Sequence, residues 1–389
     1  MVSDMKIIFV VVLHLSVGQL PEGQEIENPP ISNEFFFYSP DSDEGAHPFH
    51  TPVSIALQAG FEEYSHKRLH DLDSQLVTGM RNLLYGFTNP LATLKHYGYK
   101  NFFFLQFVPF GDKIVEGVPS WLANYKWHLI GGGFRNRLLT EYYTAKGSEY
   151  PKTYAWLAMY VGHWLNESIQ AIEATKGSAD GFADLIFFDS LGKFLFANDS
   201  VARFFAHTLH LSDWSYQMSW SPITNTLIDT GQMYWMRLPV YGPFSISLLT
   251  GHLVNTLNIT LSNEGGHQWT FGLGGLPDNF FLHENKDLRP GALHWSAVLG
   301  YSRNDNPLAL FLYLERATTN PFFANVEVKD SPNATSRDRR FSLYAYPKWF
   351  KVFGVKLGLH MQYRSGVFYM GFTNSNPLLG LSGAIKTEL

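Results

Sequence analysis

A strict alternation of apolar and polar residues between Val352 and Arg364 constrains the fold more than any other feature of the sequence. Its apolar members are Phe353, Val355, Leu357, Leu359, Met361 and Tyr363, and its polar or glycine members are Gly354, Lys356, Gly358, His360, Gln362 and Arg364. A period of two residues is typical of a β-strand. Its length of about twelve residues exceeds the five or six usual in soluble sheets and matches a tilted membrane-spanning strand.

The whole C-terminal half has this strand character. The segment from Leu293 to Tyr301 repeats the alternation, and turn clusters such as Asn304-Asp305-Asn306-Pro307 separate the runs. The other predicted strands are 232–238, 244–249, 252–262, 267–274, 308–316, 321–329, 340–346, 366–373 and 378–386. Only 16% of the residues are charged and 16% are aromatic, which favours a small outer-membrane β-barrel of about 8–12 strands. The alternative is a soluble antiparallel sheet or sandwich.

The N-terminal half is predicted to be helical, which makes the fold class α+β. Apolar periodicity and capping residues predict helices at 66–89, 119–146, 151–175, 178–196 and 199–210. The second helix contains Gly131-Gly132-Gly133, and each glycine costs about 1 kcal/mol relative to alanine inside a helix. Either this helix breaks at the glycines or another helix packs closely against them.

The first residues resemble a secretory signal. An apolar run from Ile7 to Leu13 follows Lys6, and Ser16-Val17-Gly18 suits a signal peptidase. We therefore expect a signal peptide at 1–18, an extended Pro-rich arm at 19–51, a helical unit at 52–215 and an antiparallel β region at 216–389. Export of a chain with no cysteine fits a bacterial envelope better than a eukaryotic secretory route.

Ionisable residues recur on the predicted helices, where burial is costly unless they pair or meet a cation. His163 and Glu167 are one helical turn apart. The candidate residues of a metal or proton site are His128, His163, Glu167, Glu173 and Asp184. One interpretation is a divalent cation such as Zn²⁺, although no HExxH signature is present. The other is a polar seam of helix caps and interhelical hydrogen bonds, with no cofactor.

Acidic residues and glycines recur between residues 126 and 196. The run Glu167-x2-Gln170-x2-Glu173, followed by Ser178, Asp184-Leu185-Ile186 and Gly192, is similar to the acidic helix pair of the YfiM-like and VanZ-like bacterial families. Lys126-Trp127-His128 before Gly131-Gly132 resembles the helix that precedes this pair in the YfiM-like group. The chain departs from that pattern at Phe188, where an Asn is usual. The resemblance implies a compact, envelope-associated helical unit and no settled activity.

A second kind of site is a His/Ser pair on a predicted strand. His294 and Ser296 lie two residues apart, so an imidazole could deprotonate the hydroxyl. This arrangement is similar to that of outer-membrane acyl hydrolases, which act on phospholipid or lipid A. In those enzymes Asn-Gly or Asn-Ala usually follows the Ser, whereas here Ala297-Val298 follows, which puts oxyanion stabilisation in doubt.

The charge of the chain argues against nucleic acid as a partner. The net charge is −5, and no run of Lys and Arg is longer than the pair Arg339-Arg340, so the chain offers little to neutralise a phosphate backbone. Membrane lipid is the expected partner. We expect an exported outer-membrane or periplasmic protein with a structural, lipid-binding or narrow-pore role and no assignable catalysis. The alternatives are an outer-membrane acyl hydrolase acting through His294 and Ser296, and a soluble periplasmic binding protein.

Overall fold

A computed structural model describes residues 34–62, 72–117, 119–251, 254–277, 280–282, 288–290, 293–317, 338–364, 366–375 and 380–386. The predicted signal peptide at 1–18 and the strand expected at 321–329 lie outside these residues. Described residues 34–41 and 50–206 form a helical unit, and Ser42–Phe49 with the chain from His207 onward form a β unit. Helices followed by one large sheet establish the α+β class.

The helices begin and end largely where proline, glycine and capping residues direct. Helices α1 to α4 are Pro52–Gly60, Leu72–Thr88, Pro90–Tyr97 and Tyr99–Phe107. Helix α5 is continuous over Trp121–Ala123, a π-helical Asn124–Gly132 and Gly133–Ala145. Helix α6 is Pro151–Gln170. Helix α7 joins Ala179–Phe182, a π-helical Ala183–Phe188 and Asp189–Phe196, and helix α8 joins Asp199–Arg203 to a π-helical Phe204–Thr208. Short 3-10 turns lie at His47–Phe49, Gly111–Lys113 and Ala171–Glu173.

The sequence predicted helices α5, α6 and α7 well. Pro151 occupies the first turn of α6, and the Ser178 side chain accepts the Gly181 N–H at 2.9 Å to begin α7. Helices α1, α3 and α4 lie in the region expected to be helical, but the sequence did not predict them as separate helices. In the part of the chain that the structure describes, no helix combines the length and the hydropathy needed to cross a bilayer.

One carboxylate binds the backbone of residues 36–38 in the described part of the predicted arm. The carboxylate oxygen Oε2 of Glu141 accepts the backbone N–H groups of Phe36, Phe37 and Tyr38 at 3.1, 2.8 and 2.9 Å. Arg137 donates to the other oxygen of Glu141 at 2.8 Å. This carboxylate therefore fixes residues 36–38 on helix α5.

The strands cover most of the predicted runs. Strands β1 to β7 are Ser212–Asp213, Ser219–Ser221, Thr226–Ile228, Met233–Tyr241, Phe244–Gly251, Asn255–Ser262 and His267–Pro277. Strands β8 to β12 are Phe280–Leu282, Leu288–Pro290, Leu293–Arg303, Asn306–Ala317 and Asp338–Ala345. Strands β13 to β16 are Lys351–Val352, Val355–Arg364, Val367–Asn374 and Gly380–Lys386.

The main sheet follows the order β1-β4-β5-β6-β7-β10-β11-β12-β14-β15-β16-β2-β3. Its neighbours are antiparallel except for the β16–β2 pair, which is parallel. In a flat sheet the eleven steps from β1 to β2, at about 4.8 Å each, would span about 53 Å. Asp213 and Ser219 are six residues apart, which limits their separation to about 22 Å. The sheet therefore curls strongly, although among the described residues no pairing of β1 with β3 closes it.

One face of this sheet exposes apolar side chains and the other face buries polar ones. One row of register partners runs across nine neighbouring strands, and each member is apolar and at least 37% exposed. The row consists of Leu238, Ile246, Ile259, Phe271, Leu299, Phe311, Leu343, Met361 and Met370. We call it the outward row. The residues next to it along the strands, such as Ser247, Thr260 and Gln362, are buried.

The inner face of the β unit is filled by two kinds of side chain. Hydroxyls form a ladder, with Thr260 Oγ1 at 3.0 Å from Ser247 Oγ and at 2.9 Å from Thr270 Oγ1. An aromatic cluster includes Trp214 stacked on Trp235, with ring centroids 5.0 Å apart. Buried Arg340 pairs with buried Asp229, which also accepts from Gln362. The strand predicted at 352–364 is interrupted by a turn at Phe353-Gly354 and begins at Val355. Within β14, the polar-face residues Gly358, His360 and Gln362 point inward, and the apolar residues between them point outward.

Candidate functional site

Three helices of the helical unit bring five ionisable side chains together. His128 comes from the π-helical part of α5, His163 and Glu167 from successive turns of α6, and Asp184 and Asp189 from α7. Four of them are at most 5% exposed, and the Asp189 side chain is 13% exposed. Two overlapping groups have their ligand-type atoms within 4.8 Å of one another: His128 with His163 and Asp189, and His128 with Glu167 and Asp184.

The π-helical segment of α7 explains how Asp184 and Asp189 reach the same imidazole. Five residues apart on an α-helix, two side chains would point about 140° away from each other. The Asp189 N–H instead bonds the Asp184 carbonyl, and this i→i+5 bonding widens the turn to about 4.4 residues. The two carboxylates therefore lie on one face of α7.

Asp189 joins the two histidines by hydrogen bonds. Its Oδ1 lies 2.9 Å from His128 Nδ1 and 2.8 Å from His163 Nδ1, and its Oδ2 is also 2.8 Å from His163 Nδ1. The imidazole rings meet edge to face, with centroids 4.8 Å apart. Distances of this size are those of charge-assisted hydrogen bonds, so Asp189 fixes the orientation of both rings.

The other nitrogen of His128 faces two carboxylates at longer distances. His128 Nε2 lies 3.6 Å from Glu167 Oε1 and 3.5 Å from Asp184 Oδ2. Glu167 Oε1 also accepts from Gln170 at 3.4 Å. Asp184 Oδ1 is buried and has no hydrogen-bond partner within the described parts of the chain. The geometry thus differs on the two sides of one imidazole, with short hydrogen bonds at Nδ1 and wider separations at Nε2.

Close helix packing at the glycines permits this assembly. A Cβ on Gly133 would lie 2.6 Å from the Gly192 carbonyl oxygen, and a Cβ on Gly192 would overlap the Leu129 carbonyl. A Cβ on Gly132 would stand 3.0 Å from His163 Cε1. Of the two outcomes expected for the glycine run, close packing is therefore the one observed, and the helix continues through it with π-type bonding.

Burial and neighbouring charges shift the protonation of the cluster in opposite directions. Burial alone lowers the His128 pKa, but Asp184 and Asp189 outweigh it and raise that pKa well above its usual value. Burial raises the pKa of Asp184 well above its usual value, and His128 offsets this only in part. Burial also raises the Asp189 pKa, but His163 and His128 lower it to about 2. The two aspartates beside His128 therefore have pKa values shifted in opposite directions.

A small pocket reaches one side of this cluster. His163 and Asp189 line it together with Trp156, Tyr160 and Lys193. Trp156 and Tyr160 stack with ring centroids 4.9 Å apart, and the Lys193 ammonium lies 5.1 Å from the Trp156 ring. The pocket gives solvent a route toward the Asp189 side of the cluster.

Four of the five predicted seam residues come together, and one does not. His128, His163, Glu167 and Asp184 meet, whereas Glu173 is exposed in the 3-10 turn that follows α6 and belongs to neither group. The residues predicted from the sequence did not include Asp189. The Asp-x4-Asp spacing is the signal that could have identified it, since it matches one π-turn.

Ser296 of the predicted pair on strand β10 lies on the inner face of the sheet. Ser296 is 4% exposed and pairs in register with Leu314 and Gly274. The backbone of His294 lies two residues earlier in the same strand, and its side chain lies outside the described part of the structure. Sequence reasoning missed a different cluster, in which His360 Nε2 lies 3.1 Å from Ser219 Oγ and 2.6 Å from Ser382 Oγ.

Comparisons with protein-family models, with characterised proteins and with solved structures give no match for this chain. The resemblance to YfiM-like and VanZ-like proteins therefore stays a prediction.

Proposed function

We propose that this chain is an exported protein of the bacterial outer membrane, whose β unit is embedded in lipid as a rolled-up, barrel-like sheet with a structural, lipid-contacting role. The outward row carries the proposal. Nine exposed apolar side chains across neighbouring strands follow the curled sheet over an arc of about 38 Å, taking eight steps of about 4.8 Å. Soluble monomers rarely expose an apolar patch of that extent. A transmembrane barrel requires it, together with a polar inner face.

Strand length and topology support the same proposal. Strands β4 to β7 and β10 to β12 are 8–12 residues long, which suits a tilted strand crossing a bilayer. The short connection between Asp213 and Ser219 brings the two edges of the sheet near each other. Bilayers exclude open sheet edges because an unpaired N–H or C=O is costly in hydrocarbon, so curling toward closure favours insertion.

Aromatic residues near both ends of the strands support it further. Near the hairpin that joins β10 to β11, Trp269 and Tyr301 pack with ring centroids 4.6 Å apart. Toward the other ends of the strands, Tyr313, Phe341 and Tyr363 are register partners on three neighbouring strands. Transmembrane barrels carry aromatic girdles at both interfaces.

The filled interior favours a structural role over a pore or an enzyme. Trp214, Trp235 and Tyr344 are at most 2% exposed and occupy the inner face. The Ser296 side chain also points inward, away from the face that would meet lipid substrates. We therefore propose no phospholipid hydrolysis through Ser296, and an assay that finds hydrolysis abolished by Ser296→Ala would contradict this part of the proposal.

Cell fractionation tests the location. The full chain is expressed in a Gram-negative host, and the membrane pellet is washed with alkaline carbonate before extraction with detergent. We expect the protein to resist the wash and to need detergent. Release by osmotic shock into the periplasmic fraction would overturn the proposal and favour a soluble binding protein.

A matched pair of lysine substitutions tests the lipid contact directly. Ile259 is 58% exposed on the outward row, and Leu91 is 72% exposed on helix α3. In water both substitutions would change stability by less than about 0.5 kcal/mol. In a bilayer, Ile259→Lys should cost about 2–4 kcal/mol near the midplane, while Leu91→Lys remains neutral. Equal, small effects of both variants in lipid would contradict membrane insertion.

A further inference from the structure

Independently of the membrane proposal, the five-residue cluster of the helical unit has features that point to a ligand. It is buried, it combines two imidazoles with three carboxylates, and it draws them from three different helices. Buried carboxylates are costly unless paired or bound to a metal. The distances at the two ring nitrogens of His128 indicate which kind of partner these carboxylates have.

Hydrogen bonding accounts for the Nδ1 side of His128 but not for the Nε2 side. A protonated imidazole that donates to a carboxylate settles at about 2.7–2.9 Å, as His128 Nδ1 does with Asp189 at 2.9 Å. Glu167 Oε1 and Asp184 Oδ2 instead lie 3.6 and 3.5 Å from Nε2. Neither carboxylate approaches Nε2 to the distance of such a hydrogen bond.

These longer separations match the spacing of ligands around a metal ion. With metal–ligand bonds of about 2.1 Å, two ligand atoms of a tetrahedral site lie about 3.4 Å apart. The ligand atoms of His128, Glu167 and Asp184 all fall within 4.8 Å of one another. One ion placed among them could therefore contact all three with small rotations of the carboxylates.

The environment of Asp184 independently points to a ligand in the cluster. Its side chain is 3% exposed, and its Oδ1 has no hydrogen-bond partner among the residues that the structure describes. A buried carboxylate oxygen without a partner is costly. Since its other oxygen faces His128 Nε2, the whole carboxylate is directed into the cluster.

We propose that His128 Nε2, Glu167 and Asp184 bind one divalent first-row transition-metal ion, with Zn²⁺ as the best-fitting case. A set of one imidazole and two carboxylates suits such ions, whereas Mg²⁺ and Ca²⁺ prefer oxygen ligands alone. Three protein ligands leave a fourth tetrahedral position for water or a small ligand. Asp189 is a positioning residue here, because its hydrogen bond to Nδ1 holds His128 in the tautomer whose Nε2 is free to bind the metal.

The test uses the full chain in detergent, with any affinity tag removed and bound metal stripped by a chelator. Titration calorimetry with Zn²⁺ should show one tight equivalent per chain, and Mg²⁺ should show none. Co²⁺ should give the intense visible absorption of a four-coordinate site. Zn²⁺ should also raise the melting temperature of the helical signal. A folded wild-type chain that binds no stoichiometric Zn²⁺ would overturn the proposal.

Matched variants assign the ligands. Asp184→Asn and His128→Gln should each weaken Zn²⁺ binding by at least 100-fold, and Asp189→Asn by 10–100-fold. Glu173→Gln removes an exposed carboxylate of the same unit and should leave binding unchanged. Circular dichroism verifies that each variant is folded. Wild-type affinity in folded Asp184→Asn, or an equal loss in Glu173→Gln, would show that the metal binds elsewhere.

Discussion

The helical unit and the β unit both bury polar side chains, but they do so in different ways. In the helical unit, ionisable groups converge on His128, and one of their oxygens has no partner among the described residues. In the β unit, neutral hydroxyls such as those of Ser247, Thr260 and Thr270 are spread along the inner face and bond one another. Converging charge indicates a ligand, whereas a dispersed face of neutral polar groups indicates the surroundings of the sheet.

The largest effect should come from the exception to this contrast, the buried pair of Arg340 and Asp229 in the β unit. Arg340→Met should destabilise the chain by about 3–5 kcal/mol, because Asp229 would remain buried without its compensating charge. Urea unfolding in detergent, followed by Trp fluorescence, measures the loss.

The neighbouring arginine is the matched control. Arg339 pairs with Glu315 at 3.1 Å, but its side chain is 49% exposed, so Arg339→Met should cost no more than about 1 kcal/mol. The double variant Arg340→Met with Asp229→Leu should regain most of the stability. If the double variant is as unstable as the single one, the charge of Asp229 is not the cause.

In the helical unit, backbone proximity rather than charge should be the most sensitive feature. Gly192→Ala places a methyl group against the Leu129 carbonyl, and we expect a loss of about 1–3 kcal/mol. The variant should also lose Zn²⁺ affinity, because α7 carries Asp184 and Asp189. Ser190→Ala, at an exposed position of the same helix, should be close to neutral. An unchanged melting temperature for Gly192→Ala would show that α5 and α7 can separate at little cost.

The contrast between the units also explains what the sequence could predict. Alternation predicted nearly every long strand, because a two-residue period follows directly from strand geometry. It could not say which face is buried: in the run from Val355 to Arg364 the polar face is inside, and only the three-dimensional structure shows that. In the helical unit, α-helical spacing found His163 and Glu167. It missed Asp189, because nothing in the residue types marks a π-turn.

The turn between β10 and β11 provides a pH-dependent test in the β unit. Burial raises the Asp305 pKa, but hydrogen bonds from His210, Arg237 and Gln268 outweigh it and lower the pKa to about 2. Because this folded-state pKa lies below the unfolded value of 3.8, the stabilisation is complete above about pH 5. It is lost as the pH falls toward 2, and amounts to about 2 kcal/mol.

Urea midpoints at pH 5 and pH 2.5 measure this contribution. Asp305→Asn should be less stable than the wild type at pH 5 and should show a smaller change between the two pH values. Other carboxylates titrate in both proteins, so the difference between them isolates Asp305. Parallel pH dependence in the two proteins would mean that the Arg237 and His210 contacts contribute little.

The smallest expected effect tests the polar inner face and the apolar outer face of the sheet at two adjacent residues. Thr260→Val keeps the side-chain shape and removes a hydroxyl that lies 3.0 Å from Ser247 Oγ and 2.9 Å from Thr270 Oγ1. We expect a loss of about 1 kcal/mol, since both neighbouring hydroxyls lose a partner. Its neighbour Ile259 points outward, and Ile259→Thr should cost a similar amount in lipid but almost nothing in water. A stabilising Thr260→Val would mean that the inner face behaves as an ordinary apolar core, and the argument for a lipid-facing sheet would then rest on the outward row alone.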